Sequence, residues 1–185
     1  MIKISGNLAQ IAVGLHGNVW GINSSGLIFH FNIATQAWDW IPGSLAQIAL
    51  GANGEVWGLN AENQAYRFEA GAQSWSLIPE SSFSGVAVGS ANNVWVFNSS
   101  EDVYQFNPQT LSWNQISKNL NVTGISAGFD GATWVLDTRA FTLRLQPQDV
   151  NVPNEFFYGI TSIAVASDAV IWAVNAYSGD VYQYW

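Results

Sequence analysis

The chain has 185 residues, 49% hydrophobic and 10% charged, with five Lys and Arg against thirteen Asp and Glu for a formal charge of -8. Such a composition folds, and it leaves too little charge for the solvated faces of long amphipathic helices. Five scattered basic residues (Lys3, Arg67, Lys118, Arg139 and Arg144) make no stripe for phosphates, which excludes nucleic acid and an anionic membrane surface and points to neutral or cationic partners.

The N-terminal MIKISGNLAQ carries no apolar core of a signal peptide, and no apolar run approaches the roughly 18 residues of a membrane span. The expectation is a cytoplasmic protein, or one exported by a route that needs no signal peptide, with no membrane insertion. There is no Cys, so neither disulfides nor thiolate metal sites are expected. The triplets at Asn23-Ser24-Ser25, Asn98-Ser99-Ser100 and Asn121-Val122-Thr123 read as turn chemistry in that context.

The first extended pattern is GNVWGINSSGLIFHF, residues 17–31. It returns as GEVWGLNAENQAYRF (54–68), NNVWVFNSSEDVYQF (92–106), GATWVLDTRAFTLRL (131–145) and AVIWAVNAYSGDVYQY (169–184). Its anchors Trp20, Trp57, Trp95, Trp134 and Trp172 recur at intervals of 37, 38, 39 and 38 residues. A period of this length marks a repeat architecture.

Each unit reads as four short strands with period-two alternation, divided by Gly, Asn, Ser and Asp. The first strands are LAQIAVG (8–14), LAQIALG (45–51), FSGVAVG (83–89), VTGISAG (122–128) and ITSIAVA (160–166). The second strand carries the anchor Trp and ends at Asn23, Asn60, Asn98, Asp137 or Asn175. The third is an aromatic or apolar pair around a polar residue: His30, Arg67, Gln105, Arg144 and Gln183. The fourth is WDWIPG (38–43), WSLIPE (75–80) or WNQISK (113–118). In the fourth unit the stretch LQPQDVNVPNEFFYG (145–159) lacks the Trp, and an irregular outer strand is expected, with Phe156 or Phe157 in its place.

Four strands per unit of this length is the blade of a β-propeller, in which both faces of a blade are covered by its neighbours. Gly21 and Gly58 would then leave room for a Trp of an adjacent blade. The last unit stops at Trp185 after its third strand, while MIKISGNL aligns onto WDWIPGSL (38–45), Gly6 on Gly43 and Leu8 on Leu45. The expected fold is all-β: one five-bladed β-propeller domain of four-stranded blades over residues 1–185, its ring closed by the N-terminal strand. The repeats are approximately 8–44, 45–82, 83–121, 122–159, and 160–185 completed by 1–7.

The pattern VWGIN…IFHF…W-x-W-I-P-G-x-L-x-x-I-A-V-G closely resembles the tectonin repeat, over essentially the whole chain and most clearly in the first two units. The resemblance implies a β-propeller lectin that recognises surface glycans. Five blades depart from the six common in that family.

The residues themselves do not suggest catalysis. The two histidines, His16 and His30, lack an acidic cluster, and there is no G-x-S-x-G elbow. The carboxylates fall at non-equivalent turn positions rather than as a converging pair. No catalytic residue, metal or cofactor is expected. A sugar needs an aromatic platform and a few fixed polar groups, and repetition can add effective affinity on a multivalent surface.

The strand-two Trps read as packing between blades. The outer-strand Trp38, Trp75 and Trp113 are the candidate platforms. The expected site is a groove between blades that joins one of these to the third-strand polar residue (His30, Arg67, Gln105, Arg144, Gln183) and a turn Asn (Asn23, Asn60, Asn98, Asn175). Variation of the polar residue makes the sites unequal, the fourth weakest. The partners are glycans on glycoproteins, glycolipids or microbial surfaces, as for an agglutinin. A protein-interaction scaffold, or an engineered or reconstructed propeller without a selected ligand, stay open as alternatives, and so does the oligomeric state.

Overall fold

A computed structural model describes residues 4–118, 120–137, 142–145, 159–167, 170–175 and 177–184. Five antiparallel sheets follow one another along the chain. Sheet 1 is β1 (Gln10–Val13), β2 (Val19–Ile22), β3 (Leu27–Asn32) and β4 (Ala37–Ser44), in that order. Sheet 2 is β5 (Gln47–Leu50), β6 (Val56–Leu59), β7 (Gln64–Glu69) and β8 (Ser74–Ser81). Sheet 3 is β9 (Phe83–Ser90), β10 (Asn93–Asn98), β11 (Val103–Asn107) and β12 (Ser112–Ser117). Three strands form sheet 4, namely β13 (Val122–Ala127), β14 (Thr133–Asp137) and β15 (Thr142–Leu145), and three form sheet 5, namely β16 (Ile160–Ser167), β17 (Val170–Asn175) and β18 (Val181–Tyr184). The innermost strands pack in succession, β1 on β5, β5 on β9, β9 on β13 and β13 on β16. This is the radial order of a β-propeller.

Turn chemistry explains why the strands stop where they do. In the β2–β3 turn Asn23 Oδ1 accepts from the N–H groups of Ser25 and Leu27, both at 2.9 Å, and Gly26 holds φ +79. That side-chain mimic of a backbone turn recurs at Asn60, Asn98 and Asn175. On the other side of the hairpin, each β3–β4 type connection is closed by an Asn or Gln side chain, as where Asn32 Oδ1 accepts from Ala34 and Thr35.

The core is a series of seams between sheets rather than one centre. Trp20 of β2 sits with its ring centroid 4.8 Å from Phe68 and 6.2 Å from Trp75 of sheet 2. One repeat on, Trp57 sits 4.7 Å from Phe106 and 5.8 Å from Trp113 of sheet 3. Edge-on aromatic pairs of this kind add to the burial of large apolar surface. Trp20, Trp57, Trp95 and Trp134 are all buried, as interblade packing requires.

Several expectations need correction. The glycines of strand two do not receive a Trp: a Cβ on Gly21 would lie 2.6 Å from Leu8 Cδ1, and one on Gly58 2.4 Å from Leu45 Cδ1. They admit the leucine that enters strand one of the same sheet. The fifth Trp is not buried either. Trp172 is 45% exposed, and among the described residues no sheet lies over that face of sheet 5.

The closed ring of five four-stranded blades is likewise not what the described residues form. Residues 4–8 adopt no strand, and sheet 5 has three. The N-terminal segment is held on sheet 1 instead, with Ala9 N–H donating to Ile22 O at 2.8 Å, Gly6 against the Trp38 indole and Leu8 over Gly21. Gly6 and Leu8 thus repeat what Gly43 and Leu45 do against Trp75 and Gly58, so the alignment of MIKISGNL with 38–45 describes their place, though not a pairing with sheet 5. The irregular strand expected around Phe156 and Phe157 lies outside the described residues.

Candidate functional site at the first seam

Strand register decides which side chains can meet. In sheet 1 Trp20 pairs with His30, and His30 with Asp39, while Phe31 pairs with Trp38. In sheet 2 Trp57 pairs with Arg67 and Phe68 with Trp75. In sheet 3 Trp95 pairs with Gln105 and Phe106 with Trp113. Cross-strand partners share a face and successive residues alternate. The third-strand polar residue therefore shares the face of the strand-two Trp, and the outer-strand Trp lies on the opposite face. Within one sheet the outer-strand Trp and the third-strand polar residue thus face different neighbours.

The polar residues serve a second network instead. His30 stacks on Trp20 with centroids 4.7 Å apart, and its Nε2 lies 3.0 Å from Asn18 Oδ1, which also accepts from Trp20 Nε1 at 3.1 Å. Burial lowers the His30 pKa, against the opposing pull of the Asp39 carboxylate, which favours the neutral imidazole. In sheet 2 Arg67 Nε pairs with Glu55 Oε1 at 2.6 Å. In sheet 3 the equivalent of Asn18 is Asn93, whose Oδ1 accepts from Trp95 Nε1 at 2.6 Å, with Gln105 half-buried beside it. Gln183 is exposed opposite Trp172, and Arg144 is placed by backbone register opposite Trp134.

His30 and Asp39 line a shallow depression of about 520 Å³ with His16, Asn18 and Asn32. Among the described residues no three His, Cys, Asp or Glu side chains gather as a metal site, and no helix is long and apolar enough to cross a membrane.

A different set meets between sheets 1 and 2. A cavity of about 190 Å³ is lined by Ile28, Gly43, Ser44 and Leu45 on one side and Asn60, Tyr66 and Trp75 on the other. It adjoins a wider depression of about 520 Å³ that shares Ser44 and Leu45 and adds Gln10, Asn23, Ser24 and Ser25 on its rim. Beside the groove β4 bulges near its end: the register slips between Leu27 and Ile28, leaving Pro42 and Gly43 unpaired, with Gly43 at φ +131. A bulge is where a proline is tolerated and a strand bends away. Gly43 lies against the indole of Trp75, which is half-buried, with its Nε1 buried and lacking a hydrogen-bond partner.

Of the expected site residues, then, Trp75 and Asn60 come together, with Asn23 on the adjoining rim. Asn60 spends its Oδ1 on the turn and donates from Nδ2 to Gln64 Oε1 at 2.9 Å. Asn98 and Asn175 close their own turns in the same way. Trp38 is half-buried beneath Gly6, 5.2 Å from Phe31, and Trp40 stands exposed opposite Phe29. Trp113 is no platform: at 7% exposure it is packed by Trp57, Phe106 and Phe83. Sequence reasoning missed Tyr66, Ser44 and Leu45. A comparison of positions one repeat apart would have flagged Leu45, since Phe83 stands in its place in the third unit.

The tectonin domain family matches residues 1–74, in keeping with a tectonin-type β-propeller. No curated protein matches the chain. Among solved structures, the one described as YCF48 bound to D1 peptide is similar at TM-score 0.66 and 14% identity, covering 94% of this chain and 62% of that one. The RRP9 WD40 repeats are similar at TM-score 0.72 and 10% identity, covering 97% of this chain and 65% of theirs. The chain thus spans less than two thirds of the length of either, and at these identities the likeness concerns the β-propeller fold.

Proposed function

We propose that the protein is a non-enzymatic carbohydrate-binding protein whose best-formed site is the groove at the first seam. The observation that carries this reading is the groove's lining: two aromatic rings, Tyr66 and Trp75, beside hydroxyls and amides of Ser24, Ser25, Ser44, Asn23 and Asn60, with no charged side chain. A neutral sugar presents apolar C–H faces and hydroxyls, and few pockets serve both without charge. The tectonin match over residues 1–74, which includes all of these residues except Trp75, supports the same reading. The expected ligand is a neutral glycan of a glycoprotein, glycolipid or microbial surface. Repeated seams would add valency, unequal in strength.

The test is a broad array of neutral glycans followed by titration of Trp fluorescence. Binding that Trp75→Ala or Leu45→Phe weakens at least about tenfold (roughly 1.4 kcal/mol) supports the groove. No glycan bound by the wild-type protein would sink the reading. A second reading, capture of a peptide segment, is favoured by one observation: a similar propeller is described with a bound peptide. Inhibition of cell agglutination by free sugar separates the two.

A further inference from the structure

The first two seams join the same two surfaces. One sheet offers its strand-two Trp, and the next receives it on a Phe–Trp pair from strands three and four. The receiving pairs are Phe68–Trp75, centroids 5.1 Å apart at 59°, and Phe106–Trp113, 5.3 Å apart at 61°. Sheet 1 carries a third such pair, Phe31–Trp38, at 5.2 Å and 59°. No strand-two Trp occupies it among the described residues.

Sheet 5 carries the converse. Trp172 is 45% exposed, whereas its counterparts Trp20, Trp57, Trp95 and Trp134 are 4%, 0%, 0% and 3% exposed. Around it Ala164, Val170, Val181 and Gln183 are exposed as well. On the receiving side Ile11 and Val13 of β1 are 60% and 61% exposed, while Ile48 and Val88 at the same positions of later repeats are 3% and 7%. None of these side chains is charged, so the chain's negative charge does not oppose their contact.

We infer that the exposed face of sheet 5 docks head-to-tail on the exposed face of sheet 1 of a second copy of this chain, Trp172 entering the Phe31–Trp38 pair. The contact repeats the chain's own first two seams, already formed by the same residue types in the same geometry. Because the two faces differ, the interface is heterologous, and it allows further copies to add. A buried Trp at the centre of such a patch is the usual anchor of binding energy.

Sedimentation and light scattering of the whole chain across the micromolar range test this. The wild type should show a concentration-dependent mass of at least twice the 20.1 kDa of one chain. Trp172→Glu and Val13→Glu, both at exposed positions, should each give a monomer with an unchanged far-ultraviolet spectrum. Each variant keeps one intact face, so mixing them should restore a dimer and nothing larger. A wild type that stays monomeric overturns the inference, whether its end faces remain open or close on each other. So does self-association that survives either substitution, or a mixture that fails to pair.

Discussion

The first and second seams are built from equivalent residues in the same register, yet one holds a groove and the other is filled. At the first, Leu45, Asn60, Tyr66 and Trp75 surround open space. At the second the equivalents are Phe83, Asn98, Tyr104 and Trp113, and the Phe83 ring lies 5.1 Å from Trp113 and 6.0 Å from Tyr104. Phe83 at 2% and Trp113 at 7% exposure are core. The repeat therefore supplies the same framework at these two seams, and the residue entering strand one distinguishes the open one from the filled one.

The contrast can be broken most forcefully at the outer-strand Trps. Trp113→Ala removes a ring packed on three others and should cost about 3–5 kcal/mol in denaturant unfolding. Trp75→Ala, beside open space, should cost clearly less; equal losses would mean equally packed seams. Next, Phe83→Leu should lower stability by roughly 1–2 kcal/mol while opening the second seam. Calorimetric titration with the array's best sugar should then show added stoichiometry, and an unchanged value would show that residue 83 does not close the site. Leu45→Phe is the reciprocal change. It should abolish detectable binding at the first seam for less than about 1.5 kcal/mol of stability, since the groove accepts the ring.

The smallest effect concerns pH. The first sheet alone carries a histidine at the third-strand polar position, where the second has Arg67. His30 faces Asp39 and shares its depression with His16. Its folded pKa lies below the 6.5 of the unfolded chain, so below that pH the unfolded state takes a proton that the folded state resists. Stability should fall as pH drops from about 6.5 through the folded pKa, and thermal melts of His30→Gln should lose that part of the slope. A slope unaltered by the substitution would assign the pH dependence to other groups.

The repeat made the propeller legible, because a period near 38 with alternating apolar residues and Asn-closed turns has few other solutions. It also placed Trp20, Trp57, Trp95 and Trp134 in the seams. Trp172 reads identically in sequence, and what it lacks is a neighbour, which no local pattern encodes. The ring closure failed on the same point: Gly6 and Leu8 took the places their alignment assigns on sheet 1, but the edge of sheet 5 stayed unpaired among the described residues.

The candidate site was half legible. Trp75 and Asn60 were named, whereas Arg67, one residue from Phe68 in a strand of period two, lies on the face opposite Trp75. Register between strands three and four depends on the bulge near Pro42–Gly43 and its counterparts, a backbone event that composition does not announce.

Gly58 has a longer reach than its size suggests. A Cβ there would fall 2.4 Å from Leu45 Cδ1 and 2.7 Å from Gln47 O, so the leucine that lines the groove rests on bare backbone. In the next repeat Val96 fills that position, and its partner Phe83 turns onto Trp113 and Tyr104. Openness of a seam is thus inherited as a two-letter word, Gly with Leu or Val with Phe. A lineage that exchanged both letters together would gain or lose a recognition surface without disturbing the succession of sheets.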